Sequence, residues 1–293
     1  MKIIRLKIFD SILDIEINSD QLYNYLLSEI KHKIKREESI KENKKCKLLI
    51  IPPWKLINNV LQEYEIHDNV YIDCVEKTNS NDTLIASSLS DRYIFKWYIS
   101  KFIIKILYND CIAIHASSVK INNKSILFVG NKDSGKSTLS LALLLWENAS
   151  FVSDDITLLS PNKSKINVTG LFNGLNINNN EVNNIRVCRR SNIYERSNYK
   201  KRLTINDEYT LNDAIIDYII FPKTYENKST IKKISTQKGV NNLSKYIMSN
   251  EKDGINMELL SEMNFKNIVF FEMLNNSDIN NNVKILLDEI EKY

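Results

Sequence analysis

Gly130, Gly135, Lys136 and Ser137 stand at the spacing G-x-x-x-x-G-K-[ST]. The chemistry that needs this spacing is the capture of phosphate oxygens. Backbone N–H groups of such a loop must converge on an anion, so the chain needs glycine or residues that tolerate left-handed backbone. Asn131, Lys132, Asp133 and Ser134 fill the intervening positions, and Thr138 follows the motif. The start of the next helix would add positive partial charge. Lys136 is the cation for β- and γ-phosphates, and the Ser137 hydroxyl is a ligand for Mg²⁺.

A second group of reactive residues lies further along. Asp154 and Asp155 are adjacent, the first of them 18 residues beyond Lys136. Two neighbouring carboxylates beside a bound polyphosphate would repel it, unless one holds a cation or serves as a base toward an attacking hydroxyl. Taken by itself, the pair reads as readily as a polar turn between strands. His115 lies shortly before the glycine loop; alone, a single His after a strand is most often a hydrogen-bonded structural residue. Arg186, Arg189, Arg190, Arg196, Lys200, Lys201 and Arg202 make residues 186–202 the most basic stretch. It reads either as a contact for an acidic or phosphorylated substrate or as a solvated loop.

The elements that must position these groups follow from patterning. Residues 125–129 form a short apolar run that predicts a buried strand, and the Leu- and Ala-rich residues 136–146 predict the helix after the loop. Residues 111–114 and 119–121 read as two short strands, the second paired in a hairpin with 125–129 around Asn122-Asn123. Residues 151–155 and 156–159 supply the strand and turn bearing the carboxylates. Downstream, 215–221, 230–234 and 267–274 are predicted strands, 240–248 a helix, and 278–293 a capped amphipathic helix. The Asn-rich residues 176–184 read as a loop. Upstream, residues 1–17 suggest a hairpin, and Asn18 or Ser19 caps a helix carrying Leu22, Leu26, Ile30 and Ile34. Residues 47–51 and 70–75 suggest strands. Residues 90–108 give the longest helical pattern, with Trp97 on its apolar stripe.

At 293 residues the chain has ample material for a large core. A net charge of +4 demands neither nucleic acid nor membrane as a partner. No apolar run approaches a membrane span, and the first residues lack a secretory pattern, so a cytoplasmic protein is expected. Cys46, Cys74, Cys111 and Cys188 are widely spaced, which suits free buried thiols better than disulfides or a zinc site.

Residues 115–159, HASSVKINNKSILFVGNKDSGKSTLSLALL…FVSDDITLL, resemble the catalytic domain of the HPr serine kinase/phosphorylase family and its stand-alone, peptide-pathway-associated relatives. The resemblance implies an α/β fold: a phosphoenolpyruvate carboxykinase/HPr kinase-like P-loop domain, here residues 89–293, with a small α+β module over residues 1–88. It implies an ATP- and Mg²⁺-dependent kinase transferring the γ-phosphate to a hydroxyl, most naturally a Ser of a peptide or protein, without nucleic acid or membrane. His115, Lys136, Asp154, Asp155 and Arg202 become the catalytic candidates, residues 130–138 the nucleotide loop, and Ser137 with Asp155 the metal ligands. His115 would steady the carboxylate acting as base. A homo-oligomer is compatible with the family. Two departures stand out: Asp133 replaces a loop glycine found in many relatives, and Val168–Gly174 only faintly matches the glycine-rich segment of the bifunctional enzymes. The alternatives are a nucleotide-binding regulator without phosphotransfer, a small-molecule kinase, or a bifunctional kinase/phosphorylase.

Overall fold

The computed structural model describes residues 2–9, 11–30, 43–50, 65–67, 70–78, 81–86, 99–101, 103–104, 106–107, 109–178, 191–195, 200–225, 228–248 and 255–293. The chain divides into two compact units, Met1–Asp110 and Cys111–Tyr293. This division assigns residues 89–110 to the first unit, whereas the sequence reading groups them with the second.

The first unit holds β1 (Lys2–Ile8), β2 (Ser11–Ile17), α1 (Asp20–Glu29), β3 (Asn43–Ile50), β4 (Glu65–His67), β5 (Val70–Thr78) and β6 (Asn81–Ala86). They form a mixed sheet in the order β1-β2-β3-β6-β5-β4. The hairpin is as expected, and Ser19 caps α1 by accepting from Leu22 N–H. Leu22, Leu26 and Ile30 are buried, as are the strand residues Leu6, Leu13 and Ile15. Arg5 and Asp14 face each other across the hairpin and form a two-pronged pair at 2.6 and 2.8 Å. Of the expected long helix, residues 99–101, 103, 104 and 106 are helical and the remainder lies largely outside the described residues. His32, Trp97, Cys188, Arg186, Arg189, Arg190 and Arg196 also lie outside them.

The second unit begins with β7 (Ile112–Ile121), β8 (Lys124–Val129), α2 (Lys136–Trp146), β9 (Ser150–Ser153), β10 (Ile156–Asn162), β11 (Lys165–Gly170) and β12 (Leu175–Asn178). It continues with β13 (Ser191–Glu195), β14 (Lys200–Ile205), β15 (Ala214–Ile215), β16 (Tyr218–Thr224), β17 (Thr230–Ile234), α3 (Thr236–Ser244), α4 (Ile255–Glu262), β18 (Val269–Asn275) and α5 (Ile279–Ile290). A central mixed sheet runs β15-β11-β10-β7-β8-β16-β18-β17, with β9 also on β7, and β12-β14-β13 form a separate antiparallel sheet. β8, β16 and β18 are parallel neighbours.

Both faces of the central sheet are covered, so its strands are apolar on both sides. Phe128, Tyr218, Ile220, Phe271 and Met273 face a core closed by Leu139 and Leu143 of α2 and by Val283, Leu286 and Ile290 of α5. Leu127, Val129, Ile219, Phe221 and Phe270 alternate with them and meet Leu243 of α3 and Leu259 and Leu260 of α4. Helices on both faces of a mixed sheet make this an α/β unit.

Three sequence expectations change. The two short strands around 111–121 are one ten-residue strand, β7, that passes through His115 to Ser118. Its first half pairs with β10 and its second half with β8 and β9, so no break is needed between them. The Asn-rich stretch starts as a strand, because β12 finds a partner in β14, and Lys200 to Arg202 are strand residues rather than a loop. The helix expected over 240–248 is displaced toward the N-terminus: Ser235 caps it, and residues 246–248 leave it to pair with β7.

Candidate functional site

β8 delivers the glycine loop to the N-terminus of α2, with Gly135 as the helix N-cap at φ 95°. Asp133 also takes left-handed backbone, at φ 64°, an arrangement that Asp tolerates better than most residues. It is solvent-exposed, which removes the difficulty of a carboxylate inside an anion-binding loop. Asn131 and Lys132 are exposed as well, whereas Ser134 and Lys136 are buried. Lys136 Nζ donates to the carbonyls of Gly130 at 2.9 Å and Asn131 at 2.7 Å, folding the ammonium under the loop. The ends of the neighbouring parallel strands brace the turn. Thr224 Oγ1 donates to Asp133 O at 3.0 Å, and Asn275 Nδ2 lies 3.5 Å from Ser134 O. Gly130 has no room for a side chain, since a Cβ there would come within 2.8 Å of Ser134 Oγ.

The two aspartates sit where β9 hands over to β10 along one edge of β7. Ser153 is opposite Ser118, and Ile156 opposite His115, so Asp154 and Asp155 span the change of partner. Asp155 has φ 70°, and Ile156 N–H donates back to Asp154 O at 2.9 Å, which makes the handover a tight kink. The kink separates the two carboxylates. Asp154 is buried and accepts from Ser137 Oγ at 2.7 Å and from Asn176 N–H at 2.9 Å. Asp155 is half-exposed, with His115 Nε2 at 3.5 Å and Asn176 Nδ2 at 3.2 Å. The Ser137 hydroxyl is therefore met by Asp154, while Asp155 lies beside His115.

Burial pushes the Asp154 carboxyl above the usual carboxylate range, and the neighbouring charge of Asp155 pushes the same way. The hydrogen bonds from Asn176, Ser137 and Ser117 act against that rise. Ser117 belongs to a buried hydroxyl cluster under the kink, its Oγ 2.8 Å from Ser140 Oγ and 3.2 Å from Ser153 O.

Arg202 reaches the site through its strand register. Asn176 and Arg202 are directly opposite each other in β12 and β14, while Leu175, Ile177, Leu203 and Ile205 turn inward to the core. Period-two alternation thus places the Asn and the Arg together on the other face. Arg202 is buried; Nη1 lies 3.4 Å from Asn176 Oδ1, and Nη2 donates to Asn173 O at 3.0 Å. Gly174, at φ 124°, permits this approach because any Cβ there would collide with the Leu203 carbonyl. Thr138 follows Ser137 in the first turn of α2. The site thus joins loop residues 130–138, His115, both aspartates and Arg202.

Ser137 and Asp154 offer a hydroxyl and a carboxylate oxygen to one point at a phosphate loop. Such hard, sparse donors suit Mg²⁺, which keeps waters and takes phosphate oxygens for its remaining positions. Among the described residues no group of three or more His, Cys, Asp or Glu forms a metal cage.

No protein-family model matches the chain. No curated protein matches it either. Among solved structures, the chain is similar to the Hpr(Ser) kinase/phosphatase from Coxiella burnetii, at 13% identity and a TM-score of 0.32, over 61% of this chain and 97% of that one. A functional reading consequently stands on the side chains.

Sequence reasoning missed Asn173, Asn176, Asn275 and Ser117. Asn173 and Asn176 sit in and just after the segment 168–174 whose glycines only faintly matched a family pattern; the spacing of Gly170 and Gly174 was the available signal. Nothing in the sequence marked Asn275 or Ser117. Cys111 is buried. No helix among the described residues is long and apolar enough to cross a membrane.

Proposed function

We propose that this protein is an ATP- and Mg²⁺-dependent kinase that transfers the γ-phosphate to a hydroxyl, with a Ser of a peptide or protein as the acceptor. The observation that carries the reading is the division of labour at the kink: Asp154 on the Ser137 hydroxyl of the phosphate loop, Asp155 turned to His115 and accessible from solvent. Phosphoryl transfer is chiefly positioning and charge stabilisation, which is what such a set supplies.

Loop N–H groups and Lys136 hold the β- and γ-phosphates. Ser137 and Asp154 would hold Mg²⁺, which would supply charge neutralisation for the triphosphate. Asp155 receives the acceptor's proton as the acceptor oxygen bonds to the γ-phosphorus and the bond from that phosphorus to the β-bridging oxygen breaks, releasing ADP. His115 orients Asp155 for that proton. Arg202, through Asn176 and Asn173, fixes the wall behind both carboxylates. A peptide acceptor is favoured by the exposure of Asp155, since a Ser on an extended segment reaches such a base more readily than it would a buried one.

The test is mass spectrometry of Ser-containing peptides, those encoded beside this protein first, incubated with the full chain, Mg²⁺ and ATP. The expected result is a gain of one phosphate on a Ser. Lys136→Ala should lower transfer by about 1,000-fold or more, since it removes the loop cation from the transferring group, while its circular dichroism remains that of the wild type. Normal transfer by Lys136→Ala overturns the reading.

A further inference from the structure

We infer that Asn176 is a positioning residue for phosphotransfer: it holds the metal-binding and proton-accepting carboxylates at their separate orientations and ties both to Arg202. This inference rests on the kinase reading above.

Three contacts converge on this one residue. Its backbone N–H donates to Asp154 Oδ2 at 2.9 Å, its side-chain Nδ2 to Asp155 Oδ2 at 3.2 Å, and its Oδ1 faces Arg202 Nη1 at 3.4 Å. The amide is suited to this place because it offers a donor and an acceptor at once. A carboxylate there would accept from Arg202 but repel Asp155. An alkyl group would do neither. The orientation is fixed by packing, since Leu175 and Ile177 on either side are buried in the core and the pairing with Arg202 sets the strand register. Asp155 is then held from two directions, by His115 at Oδ1 and by Asn176 at Oδ2. Contacts at both oxygens restrain rotation of the carboxylate about its Cβ–Cγ bond, and a base must keep its orientation when the acceptor arrives.

The consequence separates Asn176 from residues that merely fill space. Replacing its side chain leaves the phosphate loop intact, so nucleotide affinity should persist while the chemical step slows. Replacing it with Asp should harm more than replacing it with Ala, because the third carboxylate faces Asp155. A purely structural role in the β12–β14 pairing predicts the reverse order, as Asp preserves the contact to Arg202.

The experiment uses the full-length chain with Asn176→Ala and Asn176→Asp, read in two ways. ADP formation from Mg-ATP with the peptide acceptor should show kcat reduced about tenfold in Asn176→Ala and about 100-fold in Asn176→Asp, with KM for ATP within twofold of wild type. Separately, nucleotide-free protein labelled with ¹⁵N at histidine should show the His115 ring resonances displaced in both variants. Asn176→Ser replaces either variant that does not fold. Unchanged His115 resonances overturn the inference, as does an unchanged kcat in both variants or an Asn176→Asp milder than Asn176→Ala. If the wild type itself forms no phosphopeptide but His115 still responds, the kinase reading fails while the positioning by Asn176 stands.

Discussion

The glycine loop and the aspartate kink meet at the hydrogen bond from Ser137 to Asp154, yet they are made in opposite ways. The loop is local. Lys136 closes on Gly130 and Asn131 and Gly135 caps the helix that follows, so much of its shape is set within eight consecutive residues, with Thr224 and Asn275 as braces from outside. The kink is assembled from distant strands: His115 from β7, Ser137 from α2, Asn176 from β12, and Arg202 from β14 behind it. A loop of the first kind tolerates change around it, because its shape depends on its own backbone angles. A site of the second kind depends on the register of every strand that reaches it. Left-handed backbone occurs in both, at Asp133 and at Asp155, and at the kink it is surrounded by partners from distant strands.

Asp154→Asn should break the comparison most sharply, because it separates function from stability at the kink. Transfer activity should fall by about 100-fold or more if Asp154 is the anionic metal ligand we propose. Folding stability should move the other way. The folded state raises the Asp154 carboxyl above its ordinary value, chiefly through burial. The stability it contributes is therefore fully present below the unfolded carboxylate value of about 4 and is lost as pH rises through the raised folded value. Asn carries no such dependence. In EDTA, the thermal midpoint of Asp154→Asn should match wild type near pH 4 and exceed it at pH 7. A midpoint equal to or below wild type at pH 7 would show that the hydrogen bonds from Asn176 and Ser137 outweigh the burial cost.

Gly174→Ala asks whether the register of β12 matters as much as the site's construction implies. The residue lies at φ 124°, and a Cβ would strike the Leu203 carbonyl, so the two strands must part. The cost should be about 2–4 kcal/mol in urea unfolding, with a loss of transfer activity as Asn176 leaves its partners. ATP affinity should hold, since β12 makes no part of the phosphate loop. Retained activity alongside the lost stability would mean that the kink does not need β12.

What could be read from the sequence follows the same division. The loop, its strand and its helix were legible because glycine spacing and apolar periodicity are local signals; α2 begins and ends where the pattern places it. The β18 strand and the Asp278-capped α5 were legible for the same reason, with Asp278 accepting from Asn281 N–H. The carboxylate pair was visible, but not the assignment of each member. Their different surroundings depend on the kink between β9 and β10, which share one edge of β7. Asn176 was hidden inside an Asn-rich stretch that reads as a loop, because local composition says nothing of a partner 26 residues away. The same holds for Arg202, whose burial depends on alternation in a strand that the basic run disguised.

The smallest expected effect tests the other half of the comparison, the independence of the loop. Thr224, at the end of β16, braces Asp133 O through one exposed hydroxyl at 3.0 Å. Such a bond contributes about 0.5–1 kcal/mol, and the left-handed turn at Asp133 and Gly135 is already supported within the loop itself. Thr224→Val should therefore lower the thermal midpoint by no more than a few degrees and weaken ATP binding, measured by calorimetry, by no more than about threefold. A tenfold loss of affinity would mean that the loop takes its shape from the strands behind it. The phosphate loop would then be as dependent on distant partners as the kink, and the contrast between local and assembled halves of the site would fall.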